Sequence, residues 1–201
     1  QNVLWIDKVK KFVKIKNGFH VSPVYQLQPY DLALKGNIEI KLKYDQDLSE
    51  HSNLGIYYYD RKKSTWNYLK TERINNKLTL NTVLTEMEAV TIIQDLDPPK
   101  ITRFFPENGG RYESKDIQQI KINIDDYVSG VEPEEKSFNL KFNDILIYPA
   151  YQPIKKLISY NFEKRLNKGQ HKIDFKVHDR MGNETTKTVY FVIIRDWKKI
   201  L

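Results

Sequence analysis

The feature that most narrows what this chain can fold into is its periodicity. Apolar residues recur at every second position along most of its length, and the 3.6-residue period of an amphipathic helix is nearly absent. In IEIKLKY, Ile38, Ile40, Leu42 and Tyr44 share one face while Glu39, Lys41 and Lys43 share the other, which is the pattern of a half-buried strand. LGIYYYD and TWNYLK flank a polar hairpin loop at Arg61 to Ser64, and ERINNKLTLNT repeats the plan around Asn75 and Asn76. FHVSPVYQLQP contains Pro23 and closes on Pro29, so it is expected as an edge or bulged strand, because proline donates no ladder hydrogen bond. In KVKKFVKIK, residues 8 to 16, the alternation of FVKIK predicts a solvated strand face.

The second half is plainer. Ile120, Ile122 and Ile124 line up on one face, as do Phe138, Leu140 and Phe142; Ile173, Phe175 and Val177; and Val189, Phe191 and Ile193. Asn143 and Asp144 supply a tight hairpin turn, and Asp179, Gly182 and Asn183 supply a loop that needs a left-handed residue. The expected fold is therefore all-β: two consecutive β-sandwich domains, residues 1–97 and 98–201, the second of them Ig-like. The stretch IIQDLDPPKITRFFPENGG supplies the joint, since two consecutive prolines at a composition break mark a boundary. A length of 201 residues suits two such domains.

Composition excludes several functional classes. There is no cysteine, hence no disulfide framework, thiolate metal site or cysteine nucleophile. No apolar run approaches the roughly 20 residues of a membrane helix. The net charge is +7, with 14 basic against 12 acidic residues up to Asp97 and 19 against 14 after it. That dispersed excess favours anionic polymers in general and carries no basic helix or aromatic pattern of a nucleic-acid reader. The chain begins at Gln1 without the n-region and apolar core of a signal peptide, and is read as a mature product or excised fragment.

DLDPPKI, then IKINIDDYVSGVEPEEKSFNLKFNDILI, then LNKGQHKIDFKVHDRMGNETTKTVYFVI resembles the Ig-like modules of bacterial secreted and surface proteins. The region YQLQPYDLALKGNIEIKLKY to the closing strand resembles the β-domain that precedes such a module downstream of lysostaphin-like zinc peptidoglycan endopeptidases. The resemblance runs from about Phe19 to Ile193. It implies a secreted or envelope protein and a noncatalytic spacer or wall-targeting role, with peptidoglycan or an anionic wall polymer as partner and an upstream catalytic domain. The alternative is an adhesin or surface-protein segment that binds protein or glycan.

The zinc enzymes of that family hold their metal with H-x-x-x-D and H-x-H elements, since zinc hydrolysis needs three fixed ligands and an open position. Neither spacing occurs around His20, His51, His171 or His178. No G-x-S-x-G elbow, phosphate loop or H-E-x-x-H helix occurs either, so no catalytic residue is assigned and the chain is expected not to be an enzyme.

Two binding candidates stand. Tyr148 and Tyr151, on a proline-stiffened loop, are placed to stack on a ligand, although tyrosine also suits half-buried strands and that structural reading is favoured. Asp95 and Asp97 at the joint, with Asp125, Asp126 and Asp179 in loops at the same end of an Ig-like sandwich, offer the mixed oxygens that calcium takes. Against calcium, no D-x-D-x-D-G loop is present, and an Asp beside a Gly-Asn turn commonly caps its own backbone. Trp5 and Trp66 are expected in the core, and Trp197 on a sandwich end.

Overall fold

The computed structural model describes residues 4–30, 32–45, 47, 53–74 and 78–195. The chain divides into two compact units. The first comprises Gln1–Asp97 with Tyr127–Gly130 and Met181–Asn183, and the second Pro98–Asp126, Val131–Arg180 and Glu184–Leu201.

The strands of the first unit are β1 (Trp5–Val9), β2 (Gly18–His20), β3 (Val24–Gln28), β4 (Ile38–Lys43), β5 (Leu54–Asp60), β6 (Thr65–Leu69), β7 (Glu72–Ile74), β8 (Thr79–Leu84) and β9 (Ala89–Asp95). The larger sheet runs β1-β3-β9-β5-β6, with β2 also on β9, and the smaller runs β4-β8-β7. Alternation assigns the faces. Leu27, Leu54, Ile56, Val90 and Ile92 from the larger sheet meet Ile40, Leu80 and Leu84 from the smaller one in a buried cluster. Tyr57, Trp66, Val24, Ala89 and Ile93 form another on the opposite face of the larger sheet, with Val9, Ile15 and Tyr59 partly buried against it. Tyr57 and Tyr58 thus point to opposite faces, as period two requires. Gly55 sits where a Cβ would come within 2.9 Å of the Tyr68 ring, so a side chain there would displace that ring.

Three expectations are corrected. The segment VSPVYQLQ does not form an edge strand: β3 lies between β1 and β9, and Pro23 falls in the gap between β2 and β3, where no ladder bond is lost. The KVKKFVKIK run is a strand only as far as Val9. Beyond it the chain crosses the sheet as a strap, because Val9, Phe12 and Ile15 recur at every third residue and pack on that face rather than alternating. Trp5 is half exposed on β1 instead of buried, with its indole N–H donated to Asp7, whereas Trp66 is core. The Asn75–Asn76 turn, His51 and Trp197 lie outside the described residues.

The second unit contains β10 (Lys100–Phe105), β11 (Arg111–Glu113), β12 (Gln119–Asp125), β13 (Phe138–Phe142), β14 (Ile145–Ile147), β15 (Ala150–Gln152), β16 (Leu157–Asn161), β17 (Gly169–His178) and β18 (Glu184–Arg195). Two sheets, β10-β12-β16-β15 and β11-β18-β17-β13-β14, enclose one core. Phe104, Ile120, Ile122, Ile124 and Ile158 of the first sheet pack against Leu140, Ile173, Phe175, Val177, Val189, Phe191 and Ile193 of the second. Burying each such side chain contributes roughly 1.5–3 kcal/mol. Asn143 and Asp144 adopt φ of 48° and 66°, the paired left-handed residues of a two-residue hairpin turn between β13 and β14. Asn143 also reaches across to β17: its amide oxygen accepts the N–H of Lys172 at 2.9 Å.

Candidate functional site

The acidic candidates divide between the units. In the first, Asp95 is buried at the end of β9. Its carboxylate accepts the N–H of Ser129 and the N–H of Asp97, both at 3.0 Å, and its main-chain oxygen accepts the Asn183 amide at 3.0 Å. The Asp97 carboxylate accepts the Asn17 amide at 2.8 Å. Asp95 therefore organises the turn that follows β9 and holds the segments carrying Ser129 and Asn183. Each of its carboxylate oxygens takes one N–H and keeps a further lone pair. In the second unit Asp125 is ion-paired with Lys156, Asp126 is half-buried, and Asp179 is buried with its main-chain oxygen 3.0 Å from His178 Nδ1.

The tyrosines do not form a pair of open platforms. Tyr148 is 69% exposed, while Tyr151 is half-buried with its ring 5.0 Å from that of Phe138. Burial pushes the Tyr151 phenol above its ordinary pKa.

The histidines serve packing. His171 is stacked between Phe142 and Phe191 at 5.4 and 5.3 Å, and its ring nitrogens meet Asn143 Nδ2 at 3.1 Å and the Asn167 carbonyl at 2.8 Å. His178, at the end of β17, lies 2.9 Å from the Lys136 carbonyl through Nε2. His20 lies between Phe12 at 4.6 Å and Trp66 at 5.1 Å, and neither of its ring nitrogens has a hydrogen-bond partner. Desolvation lowers its pKa below the ordinary value.

A cleft that sequence reasoning missed opens on the outer face of the first unit's larger sheet. Strand register sets five residues side by side: Asp7 opposite Gln26, Gln26 opposite Ala89, Ala89 opposite Tyr59, and Tyr59 opposite Trp66. The strap residues Lys11, Phe12 and Val13 wall the other side, anchored by the Trp66 indole N–H donating to the Val13 carbonyl at 2.6 Å. The cleft holds about 400 Å³. Its floor, made by Val24, Gln26, Trp66 and Ala89, is buried, and its rim carries Asp7, Lys11 and Arg61. The floor polar group is satisfied: the Gln26 amide donates to the carbonyls of Leu27 at 2.8 Å and Met87 at 3.3 Å, and its oxygen accepts from Arg61 at 2.5 Å. The signal that could have found the cleft is the three-residue spacing of Val9, Phe12 and Ile15, which fits a covering strap better than a strand.

No family model and no curated protein matches this chain. Solved structures do. CopC from Methylosinus trichosporium OB3b is similar over 51% of this chain and 99% of its own, at 14% identity and a TM-score of 0.41. Dimeric latent PorU from Porphyromonas gingivalis is similar over 82% of this chain at 11% identity and a TM-score of 0.40, and the match spans 22% of its length. The FN1–FN3 domains of chicken CNTN1 are similar over 91% of this chain and 65% of theirs, at 13% identity and a TM-score of 0.33. The likeness is one of fold alone. The chain is all-β, built of β-sandwich units distantly similar to Ig/FN3-like domains.

Proposed function

We propose that this chain is a noncatalytic spacer or wall-targeting module of a secreted bacterial protein that acts on peptidoglycan, residing outside the cell or in the envelope. The observation that carries the reading is how the described histidines are used. His171 is clamped by two rings and two hydrogen bonds, His178 meets main-chain carbonyls, and His20 is wedged between Phe12 and Trp66. Imidazoles spent in this way serve packing, and general acid–base work or metal binding would need them presented to a substrate. The sequence resemblance to modules that follow lysostaphin-like endopeptidases supports the wall as partner, and the net charge of +7 supports attraction to anionic wall polymers.

A second reading, a surface-protein segment that binds protein or glycan, is favoured by the exposed apolar side chains of Ile145, Leu146 and Tyr148 around β14. Sedimentation of the chain with purified cell walls across a salt series separates the two. Charge-carried attraction fades as salt rises past about 0.15 M, where screening shortens to roughly 8 Å. Binding that resists salt and is lost in Tyr148→Ala replaces the spacer with a ligand-binding segment. Turbidity clearing of the walls, abolished by a chelator, overturns the noncatalytic reading.

A further inference from the structure

We propose that the cleft between the strap and the outer face of the first unit's larger sheet binds an amphiphilic monocarboxylate, with its apolar body on the floor and its carboxylate at Arg61 and Lys11. This inference goes beyond the module reading and does not rest on it.

The floor decides the body of the ligand. Val24, Ala89 and Trp66 offer apolar surface, and the one polar floor side chain, Gln26, has both its amide hydrogens and its oxygen engaged. A sugar ring inserted there would bury hydroxyls with no unspent partner, each at a cost of about 1–3 kcal/mol. An aryl or branched alkyl group leaves nothing unsatisfied. A volume of about 400 Å³ lies within the range of roughly 300–1,000 Å³ found for small-molecule sites.

The rim decides the head group. Arg61 is held in place by its bond to Gln26 and by the Tyr30 ring 4.7 Å beneath its guanidinium. Among the described residues no carboxylate lies within ion-pair distance of it, so the remaining edge of its planar fork is free to take a carboxylate in bidentate fashion. Lys11 is exposed on the strap and makes no hydrogen bond or ion pair among the described residues. The only acid lining the cleft is Asp7, whose carboxylate accepts the Trp5 indole N–H. Two cations against one anion give a rim suited to one negative charge, and Asp7 opposes a second.

The test is titration of the full chain with 4-phenylbutyrate, with 4-phenylbutanol as its uncharged counterpart and methyl glucoside as the sugar control, read by calorimetry and by amide shifts. The expected result is saturable binding of the carboxylate about tenfold tighter than of the alcohol, with no binding of the glucoside and shifts confined to residues of the cleft. Arg61→Gln should reduce the carboxylate to the affinity of the alcohol and leave the alcohol unchanged. Because Arg61 also supports Gln26, Lys11→Gln serves as the second variant: it touches no neighbour and should weaken the carboxylate by a smaller factor. Equal affinity for acid and alcohol, preference for the glucoside, indifference to both substitutions, or no saturable binding of 4-phenylbutyrate each overturns the proposal.

Discussion

Where the second unit fills the space between two sheets with one continuous cluster, the first buries apolar surface on both faces of its larger sheet. One of those faces is covered by a second sheet, as in the second unit. The other is covered by a strap of irregular chain around Phe12 and Ile15. A sheet interdigitates its side chains with those of the sheet it faces and leaves little space between. A strap touches the face only at every third residue and must satisfy its own backbone, so it leaves a cleft beside it. Binding capacity therefore belongs to the first unit, through the way its extra face is covered, while the second is built for rigidity.

The sharpest way to break this comparison is to cut the same size of aromatic side chain from each cover. Phe175→Ala, in the core of the second unit, should cost about 3–5 kcal/mol, a large part of a domain's usual stability. Phe12→Ala, at 39% exposure on the strap, should cost roughly 1 kcal/mol or less, with the sheet beneath it intact. Urea unfolding followed by amide spectra of the two units reads both. Equal losses would make the strap a true core layer, and the cleft a packing fault.

Asp95→Asn sharpens the comparison at lower amplitude. The carboxylate accepts two main-chain N–H groups; an asparagine keeps one acceptor oxygen and turns an NH₂ toward the other donor, leaving a buried N–H unpaired. The expected cost is about 1–3 kcal/mol in the first unit, with faster hydrogen exchange at Ser129 or Asp97 and unchanged exchange along β17 and β18. Uniform exchange throughout the chain would show that Asp95 does not act on that turn in particular.

How much of this was legible in sequence follows from the same asymmetry. The second unit alternates cleanly, and the faces of Ile120, Ile122 and Ile124, of Phe138, Leu140 and Phe142, and of the two long strands all pack as the period of two assigns them. The Asn143–Asp144 turn was readable because left-handed residues at both turn positions favour that pair. In the first unit the faces of IEIKLKY and of Tyr57 and Tyr58 were equally readable. Trp5 and the strap were not. An apolar residue in an alternating run looks buried whichever face is covered, and the exposure of Trp5 depends on a sheet face whose cover ends before it. The cleft combines residues from β1, β3, β5, β6, β9 and the strap, a conjunction set by strand order, and nothing local in the sequence encodes β3 lying between β1 and β9.

The smallest expected effect is a pH dependence confined to the first unit. His20 sits between the Phe12 and Trp66 rings with neither nitrogen hydrogen-bonded, and desolvation lowers its pKa below 6.5. Lowering the folded-state pKa means that the unfolded chain binds the proton more readily. Stability is then full above the unfolded value of 6.5, declines as pH falls through it, and stops declining once pH is below the lowered folded value. The imidazole retains partial solvent access, so the loss is smaller than that for Phe175→Ala or Asp95→Asn. His20→Phe keeps an aromatic ring between Phe12 and Trp66 and removes the titration. Unfolding midpoints of the two proteins, measured from pH 7.5 downward, should therefore diverge as the wild type passes through the histidine range, with the variant holding the higher midpoint at the acid end. Parallel curves would mean that the ring is solvated in the folded protein and that the strap does not close over it.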